Sequence, residues 1–380
     1  MSLKTIAATT VLVAVTACGG GDAEELQGEV VANYAQLVHE SYRMSLESAT
    51  DMDAAIDAFV ADPTTDTLAA AKDAWLAARD DYGPTEAFRF YGGPIDDEED
   101  GVEGLINAWP LDEAYIDYVE GVPDSGIVNM PDEYPAIDAE LLVSLNEEGG
   151  EANISTGWHA IEFLLWGQDL STDGSGERPV EDYTTAPNAE RRARYLTEAS
   201  DLLLVHLGAM VDAWAPDADN YRAEFVALPP DQALGMIMTG IGELSRGELA
   251  GERMTVAFEA RSQEDEHSCF SDNTTSDIVG NATGVQRVFL GEAGGVDGPG
   301  IYDLLAAEDQ DLADRLRDEI AASVDLALAI PAPFDQHLVE GVSDDEPGRV
   351  AILDTIVGLE TQTESIVDAA TLLELSLNLS

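Results

Sequence analysis

Residues 153–167 read Asn-Ile-Ser-Thr-Gly-Trp-His-Ala-Ile-Glu-Phe-Leu-Leu-Trp-Gly, and this stretch sets the fold class. The residues after Gly157 predict a helix whose side chains are apolar on nearly every side, apart from His159 and Glu162. A helix that is apolar all round is buried among other elements and does not lie at the surface. We therefore expect an interior helix.

The segments on either side of this helix also have helical periodicity. Apolar residues recur three and four positions apart, which places one apolar stripe on each predicted helix. The stripes comprise Leu68, Ala71, Trp75, Ala78 and Tyr82; Leu203, Leu207, Met210 and Trp214; Leu312, Leu316, Ile320 and Val324; and Ile366, Ala370, Leu373 and Leu377. Alternating β-branched runs are nearly absent, and Gly- or Pro-containing breakers separate the helices. The pattern predicts an all-α protein made of helical bundles.

A polar segment without periodicity, residues 171–188, predicts a linker between two helical-bundle domains. The N-terminal bundle, 26–170, carries the interior helix, and the C-terminal bundle covers 189–380. A Thr-Gly pair precedes a helix at 156–157 and again at 239–240. This repetition raises the hypothesis that the two bundles are related by internal duplication.

The N-terminus predicts export. Residues 1–17 combine a basic Lys4 with a mostly apolar run that is too short to span a bilayer, which is typical of a signal peptide. The ending Val-Thr-Ala-Cys at 15–18 resembles the bacterial lipobox, which implies cleavage before Cys18 and lipidation of that residue. Residues 18–25 are then a flexible tether, and the predicted location is the outer membrane, at its periplasmic face or at the cell surface. A plain signal peptide with a chance cysteine is the alternative.

The amino-acid composition excludes some classes of function. The 380 residues include 17 Lys and Arg against 76 Asp and Glu, a formal net charge of −59, while 45% of the chain is hydrophobic. So many apolar residues exclude a disordered acidic tail. The negative charge excludes nucleic acid as a partner, because a phosphate backbone is bound through positive charge. An acidic surface suits either solubility in high salt or the attraction of cations.

The polar residues of the interior helix are the first candidates for chemistry. His159 and Glu162 are three positions apart, so both side chains reach the same side of the helix. A buried carboxylate must be paired, protonated or coordinated. An imidazole beside a carboxylate suits a transition-metal ion. The alternative is a His–Glu hydrogen bond that only fixes the core.

A metal ion needs further ligands, and three polar clusters elsewhere in the chain offer them. These candidate ligands or supporting residues are Glu86, Arg89, Asp112, Glu113, Asp265 and His267. For each of them a helix cap or a solvated surface position is the alternative. No catalytic residue is assigned, because the sequence lacks the HExxH, GxSxG and GxxxxGK[ST] motifs.

The motif GxHxxE at 157–162 is the mark of a known family, and several longer stretches agree with it. They are TEAFRFY at 85–91, INAWPLDEAYIDY at 106–118, EFLLWGQD at 162–169, ELAGERM at 248–254 and QEDEHSCFSDN at 263–273. On these residues the chain resembles the imelysin family of bacterial lipoproteins, close to its iron-regulated protein A group. The resemblance runs from roughly residue 30 to the C-terminus.

The resemblance implies two all-helical domains and a lipoprotein that takes part in iron uptake. On this hypothesis His159 and Glu162 bind iron, as Fe³⁺ or Fe²⁺, or an iron-bearing chelate, in a helical cleft. Acids such as Glu86, Asp112 or Asp265 complete an oxygen-rich site, which favours Fe³⁺. Arg89 holds those acids in place through paired hydrogen bonds. The predicted partners are the metal, the membrane through the N-terminal lipid, and an iron-transport system.

Two other functions remain open at this point. The first is a zinc metallopeptidase of the HxxE type, in which His159 and Glu162 are joined by a third ligand from a distant histidine and by a separate general base. His206, His267 and His337 are the candidates for that ligand. The second is a module that binds a partner protein or polymer, in which the His–Glu pair is purely structural.

Overall fold

The computed structural model describes residues 20–171 and 174–379. The predicted signal peptide and Cys18 lie outside these residues. The predicted tether 18–25 lies partly outside them too, and its described part forms the start of a helix at Gly20. Among the helices of the described residues, none combines the length and the apolar character that a membrane crossing requires.

The prediction of an all-α protein is confirmed, since helices make up nearly all the regular structure of the described residues. The α-helices are α1 (Gly20–Ala61), α2 (Thr65–Tyr82), α3 (Glu103–Ile106), α4 (Glu113–Ile116), α5 (Gly126–Asn129), α6 (Ala139–Leu145), α7 (Gly157–Trp166), α8 (Ala189–Trp214), α9 (Tyr221–Phe225), α10 (Pro230–Glu243), α11 (Val256–Ala260), α12 (Thr274–Leu290), α13 (Ile301–Glu308), α14 (Gln310–Ala329) and α15 (Pro347–Leu372). The 3₁₀-helices are Gly83–Phe88, Val180–Tyr183, Gln263–Asp265 and Asp335–His337, and Leu244–Thr255 is π-helical. Two short strands, β1 (Glu292–Ala293) and β2 (Val296–Asp297), pair antiparallel.

The helix predicted to be interior is α7, and all of its residues are buried. It packs against α2 and α8, while α1 packs along the same two helices. Gly157 begins α7 with a φ of +82°, and a Cβ at this position would collide with the backbone of Ile106. The glycine of the GxHxxE motif is therefore needed for α7 to pass close to α3.

The second half of the chain forms a further layer of helices. The π-helical segment packs against α10 and α15, and α12 packs against α14 and against the 3₁₀-helix 83–88. Helix α8 follows the predicted linker 171–188 in sequence, yet it packs on α1 and α7, which both precede that linker. The domain limits and the internal duplication stay predictions.

The predicted linker is fastened to the core by a buried ionic cluster around Asp117. The Nη1 atom of Arg178 lies 2.8 Å from Asp117 Oδ2, and the Nη2 atom of Arg192 lies 2.9 Å from Asp117 Oδ1. Burial opposes ionisation of Asp117, but the hydrogen bond from Arg192 and the charge of Arg178 outweigh it and lower the pKa of this carboxyl. Asp117 thereby joins the segment after α4 to the linker and to α8.

We predict that Asp117→Asn is strongly destabilising, because it leaves the buried guanidinium of Arg192 without a carboxylate and leaves that of Arg178 with Asp182 alone. The free energy of unfolding should fall by about 3–5 kcal/mol, measured by urea denaturation. The control is Asp314→Asn, which removes an ion pair with Arg317 whose side chains are both 41% exposed. That variant should change the free energy of unfolding by less than about 1 kcal/mol. Equal effects of the two substitutions would contradict the assignment.

Candidate metal centre

The two polar residues of α7 contact each other directly. The Nδ1 atom of His159 lies 2.9 Å from Glu162 Oε2, and the two residues are 1% and 0% exposed. The other carboxylate oxygen of Glu162, Oε1, accepts hydrogen bonds from the Ser271 backbone N–H at 2.9 Å and from the Ser271 hydroxyl at 2.7 Å. Both oxygens of Glu162 are therefore engaged. The Nε2 atom of His159 is buried and has no hydrogen-bond partner among the described residues.

A second imidazole–carboxylate pair faces the first. His267 lies in the loop before α12, and its Nδ1 atom is 2.9 Å from Asp277 Oδ2 in the first turn of α12. Arg79 of α2 holds the other oxygen of Asp277, with Nη2 at 3.1 Å. His267 is 2% exposed, and within the described chain its Nε2 atom also lacks a hydrogen-bond partner.

The two imidazole rings lie against each other, which brings the two pairs into one centre. Their centroids are 4.7 Å apart and their planes are inclined by 71°. A carboxylate on one ring nitrogen orients the ring and leaves the other nitrogen for a metal ion, as is common for metal-binding histidines. Buried polar atoms normally have a partner, so an unpaired Nε2 atom on each of two adjacent rings needs an explanation. The donor set fits a transition-metal ion.

The local electrostatics keep both imidazoles neutral. Burial, reinforced by the positive charge of Arg79, lowers the pKa of His159 to about 3. Burial, reinforced by Arg253, likewise lowers the pKa of His267 to about 3. Neutral imidazole is the form that binds metal ions. A cation in this centre would therefore not meet a charged imidazolium at neutral pH.

The two carboxylates differ in charge. Burial raises the pKa of Glu162 to about 8, although the hydrogen bonds from Ser271 oppose this shift. Burial acts on Asp277 as well, but Arg79 and the hydrogen bond from His267 hold the pKa of this carboxyl well below its usual range. At neutral pH Asp277 is thus ionised and Glu162 is mostly protonated.

Two of the other candidates, Glu86 and Arg89, form a separate buried cluster. The Nη1 atom of Arg89 lies 2.7 Å from Glu86 Oε2, and Arg253 binds the same oxygen. Burial opposes the ionisation of Glu86, but the charges of Arg89 and Arg253 prevail and hold its pKa well below the usual range. The arginines already occupy this oxygen of Glu86.

The structure brings His267 to the pair on α7 but leaves three other candidates elsewhere. Asp112 is exposed and caps α4, where its Oδ1 accepts a hydrogen bond from the Ala114 N–H at 3.0 Å. Glu113 is half-buried and accepts a hydrogen bond from Gln168 at 3.4 Å. Asp265 is half-buried in the 3₁₀-helix 263–265.

Sequence reasoning missed the residues that support the two imidazoles. Asp277 lies in the first turn of α12. Acidic residues are common at this position because they complement the helix dipole, so nothing in the sequence indicated that Asp277 supports an imidazole. Arg79 lies on α2 beside Trp75, in a stretch that the sequence marks only by its apolar stripe. Ser271 lies in the stretch that carries His267, and that proximity was the one available clue.

The fold and this centre define an all-α protein with a buried pair of imidazoles, each supported by a carboxylate. The imelysin family model matches residues 38–366, and the chain belongs to the imelysin family. The chain is 27% identical over 349 residues to iron-regulated protein A of Synechococcus elongatus, covering 89% of this chain and 84% of that protein.

Two crystal structures share the fold. One is a candidate iron-regulated protein A precursor from Parabacteroides distasonis, with a TM-score of 0.69 and 20% identity, covering 90% of this chain and 95% of that one. The other is an imelysin-like protein from Psychrobacter arcticum, with a TM-score of 0.66 and 13% identity, covering 93% and 96%.

We predict that Glu162 makes stability depend on pH. The pKa of this carboxyl rises from 4.5 to about 8 on folding, so its stabilising effect is complete below pH 4.5 and is lost as the pH rises through 8. The unfolding free energy of the unmodified protein should therefore fall more steeply between pH 5 and pH 8 than that of Glu162→Gln, by at most about 1.4 kcal/mol per pH unit. Urea denaturation at several pH values measures this, with the exposed-site variant Glu47→Gln as control. Parallel curves for the unmodified protein and Glu162→Gln would contradict the prediction.

Proposed function

We propose that this protein is an exported lipoprotein that binds iron in its helical interior for uptake. The observation that carries the proposal is the pair of buried, unpaired Nε2 atoms on His159 and His267, whose rings are 4.7 Å apart. Each ring is oriented by a carboxylate on its Nδ1 atom. Packing explains the contact between the rings, but it leaves both Nε2 atoms without a partner, and metal ligation would supply one.

The geometry gives the four groups separate roles. His159 and His267 are the candidate ligands, because each has a free ring nitrogen. Glu162 and Asp277 orient the rings, and the ionised Asp277 supplies negative charge. Glu162 can also bind the ion directly if it gives up its proton and its contact with Ser271. This differs from the sequence hypothesis, in which acids such as Glu86, Asp112 and Asp265 complete an oxygen-rich site.

Iron is chosen on two grounds. Imidazole nitrogens accept iron, zinc, copper and nickel, so the donors alone do not select one metal. The relative from Synechococcus elongatus is named iron-regulated protein A, and this supports an iron-related role. Two histidines with a carboxylate nearby are a donor set typical of Fe²⁺, which we therefore favour over Fe³⁺.

Burial of the centre supports a free ion as the cargo over a larger compound. His159, Glu162 and His267 are all at most 2% exposed, which leaves no room for an iron chelate at the imidazoles. The same burial argues against the zinc metallopeptidase, although the structure does place His267 beside His159 as that mechanism requires. A peptide bond must reach the metal to be cleaved, so the geometry supports binding of a bare ion. We propose further that the protein delivers the bound iron to an iron-transport system.

We predict that His159→Ala, Glu162→Ala and His267→Ala each weaken Fe²⁺ binding at least tenfold. The first and third variants remove a donor nitrogen, and the second removes the group that orients His159. Isothermal titration calorimetry under anaerobic conditions measures the effect. His39→Ala, on α1, is the matched control and should bind as the unmodified protein does. Unchanged affinity in both His159→Ala and His267→Ala would refute the proposal.

We also predict that the purified protein does not cleave unfolded polypeptides with zinc or iron bound. The reason is the burial of the centre, which a peptide cannot reach. Cleavage of a casein substrate, followed with and without a chelator, tests this. A chelator-sensitive activity that disappears in His159→Ala and His267→Ala would instead establish the metallopeptidase.

A further inference from the structure

A group of acidic side chains from three distant parts of the chain meets near the imidazole pair. Asp169 follows α7, Asp272 precedes α12, and Asp335 begins the 3₁₀-helix 335–337. One carboxylate oxygen of each residue lies within 4.8 Å of the corresponding oxygens of the other two. Asp335 is 1% exposed, Asp169 is buried and Asp272 is half-buried. The group is therefore a product of tertiary folding and differs from the solvated acidic runs elsewhere in this chain.

Glu266 provides an independent observation at the same place. It is 1% exposed, and neither of its carboxylate oxygens has a hydrogen-bond partner of normal geometry among the described residues. The charges that act on it are those of Asp335, Asp272 and Asp169, in that order, so its side chain lies next to the acidic group. The Thr274 hydroxyl offsets these charges only in part. A buried carboxylate without a partner is costly, and a bound cation removes that cost.

The charged groups that act on Asp272 are themselves acidic. Burial raises the pKa of Asp272 to about 7, and Asp335, Asp169 and Glu162 add to the effect. By contrast, the buried carboxylates Asp117, Glu86 and Asp277 each have an arginine partner. Asp272 and Glu266 are thus favoured to take either protons or a cation from solution.

We propose that Asp169, Asp272, Asp335 and Glu266 form a second cation site, separate from the imidazole pair, and that it takes Ca²⁺. The donors are carboxylate oxygens alone, which suit a hard cation and disfavour zinc or copper. Four carboxylates supply more negative charge and more ligand oxygens than Mg²⁺ uses, since Mg²⁺ keeps most of its water, whereas Ca²⁺ takes six to eight oxygen ligands in flexible geometry.

The site has a route to solvent. Asp169 lines a groove of about 1040 Å³, together with Gln168, Leu170 and Ser171. Water in the groove can therefore complete the coordination of an ion held by Asp169. The proposal does not depend on iron binding, because it uses none of the imidazole nitrogens.

The experiment is a Ca²⁺ titration of the chelator-treated full chain in about 0.3 M NaCl, where exposed carboxylates are screened. Calorimetry should show one saturable site, and Ca²⁺ should raise the melting temperature, because it binds only the folded state. Asp272→Asn and Asp335→Asn should each weaken Ca²⁺ binding at least tenfold. Without Ca²⁺ the Asp272→Asn variant should not melt below the unmodified protein, since it removes one of several repelling charges.

Three comparisons make the result decisive. Asp51→Asn, which changes an exposed acid on α1, should leave Ca²⁺ affinity unchanged. His159→Ala should also keep the Ca²⁺ response, and Asp335→Asn should keep Fe²⁺ binding, so failure of one site is distinguishable from failure of the other. Equal Ca²⁺ affinity in the unmodified protein, Asp272→Asn and Asp335→Asn would overturn the proposal. So would the absence of a rise in melting temperature, or tighter binding of Mg²⁺ than of Ca²⁺.

Discussion

The hydrogen bond between His159 and Glu162 is formed where water does not reach, and the organisation of the centre follows from this constraint. Helix α7 is apolar all round, so the fold must enclose it. Its two polar residues then need partners from other elements. Ser271 supplies those partners for Glu162, and the loop that carries Ser271 also carries His267. The enclosure of one helix thus brings the second half of the chain to the first.

Much of the fold was accessible from the sequence because its signals are local. The long helices α2, α8, α14 and α15 follow from apolar stripes that recur every three or four residues, and α7 follows from its all-round apolar character. The short helices between residues 103 and 145 lack room for such a stripe. The π-helical turn at 244–255 gave no signal either, since its residues have the same composition as an α-helix.

The rest of the fold could not be predicted, because it depends on contacts between residues that are far apart in sequence. The segment 171–188 is polar and rich in Gly and Pro, which is typical of an exposed linker. In the structure Arg178 and Asp182 of this segment are buried because Asp117 lies opposite Arg178. A buried ion pair and a solvated one have the same residue types, so only the tertiary contact separates them.

The candidate metal centre was likewise predictable from the sequence only in part. The spacing of His159 and Glu162 within one helix turn was enough to place them together. His267 was recognisable as a candidate from its polar surroundings, but its contact with His159 spans more than a hundred residues of chain. Its partner Asp277 and the supporting Arg79 could not be found, because a carboxylate in a first helix turn and an arginine beside a tryptophan are common in helical proteins. Only the folded structure shows that they converge on one imidazole.

The loop between the 3₁₀-helix 263–265 and α12 has a consequence for the kinetics of the protein. Glu266, His267, Ser271 and Asp272 all belong to it, so one short piece of backbone contributes to both the imidazole pair and the acidic group. An ion cannot leave a centre whose residues are at most 2% exposed unless some of the enclosing chain moves aside. If this loop is the part that moves, then the residence time of a bound ion reflects how often the loop opens, and an ion held by the acidic group would slow that opening.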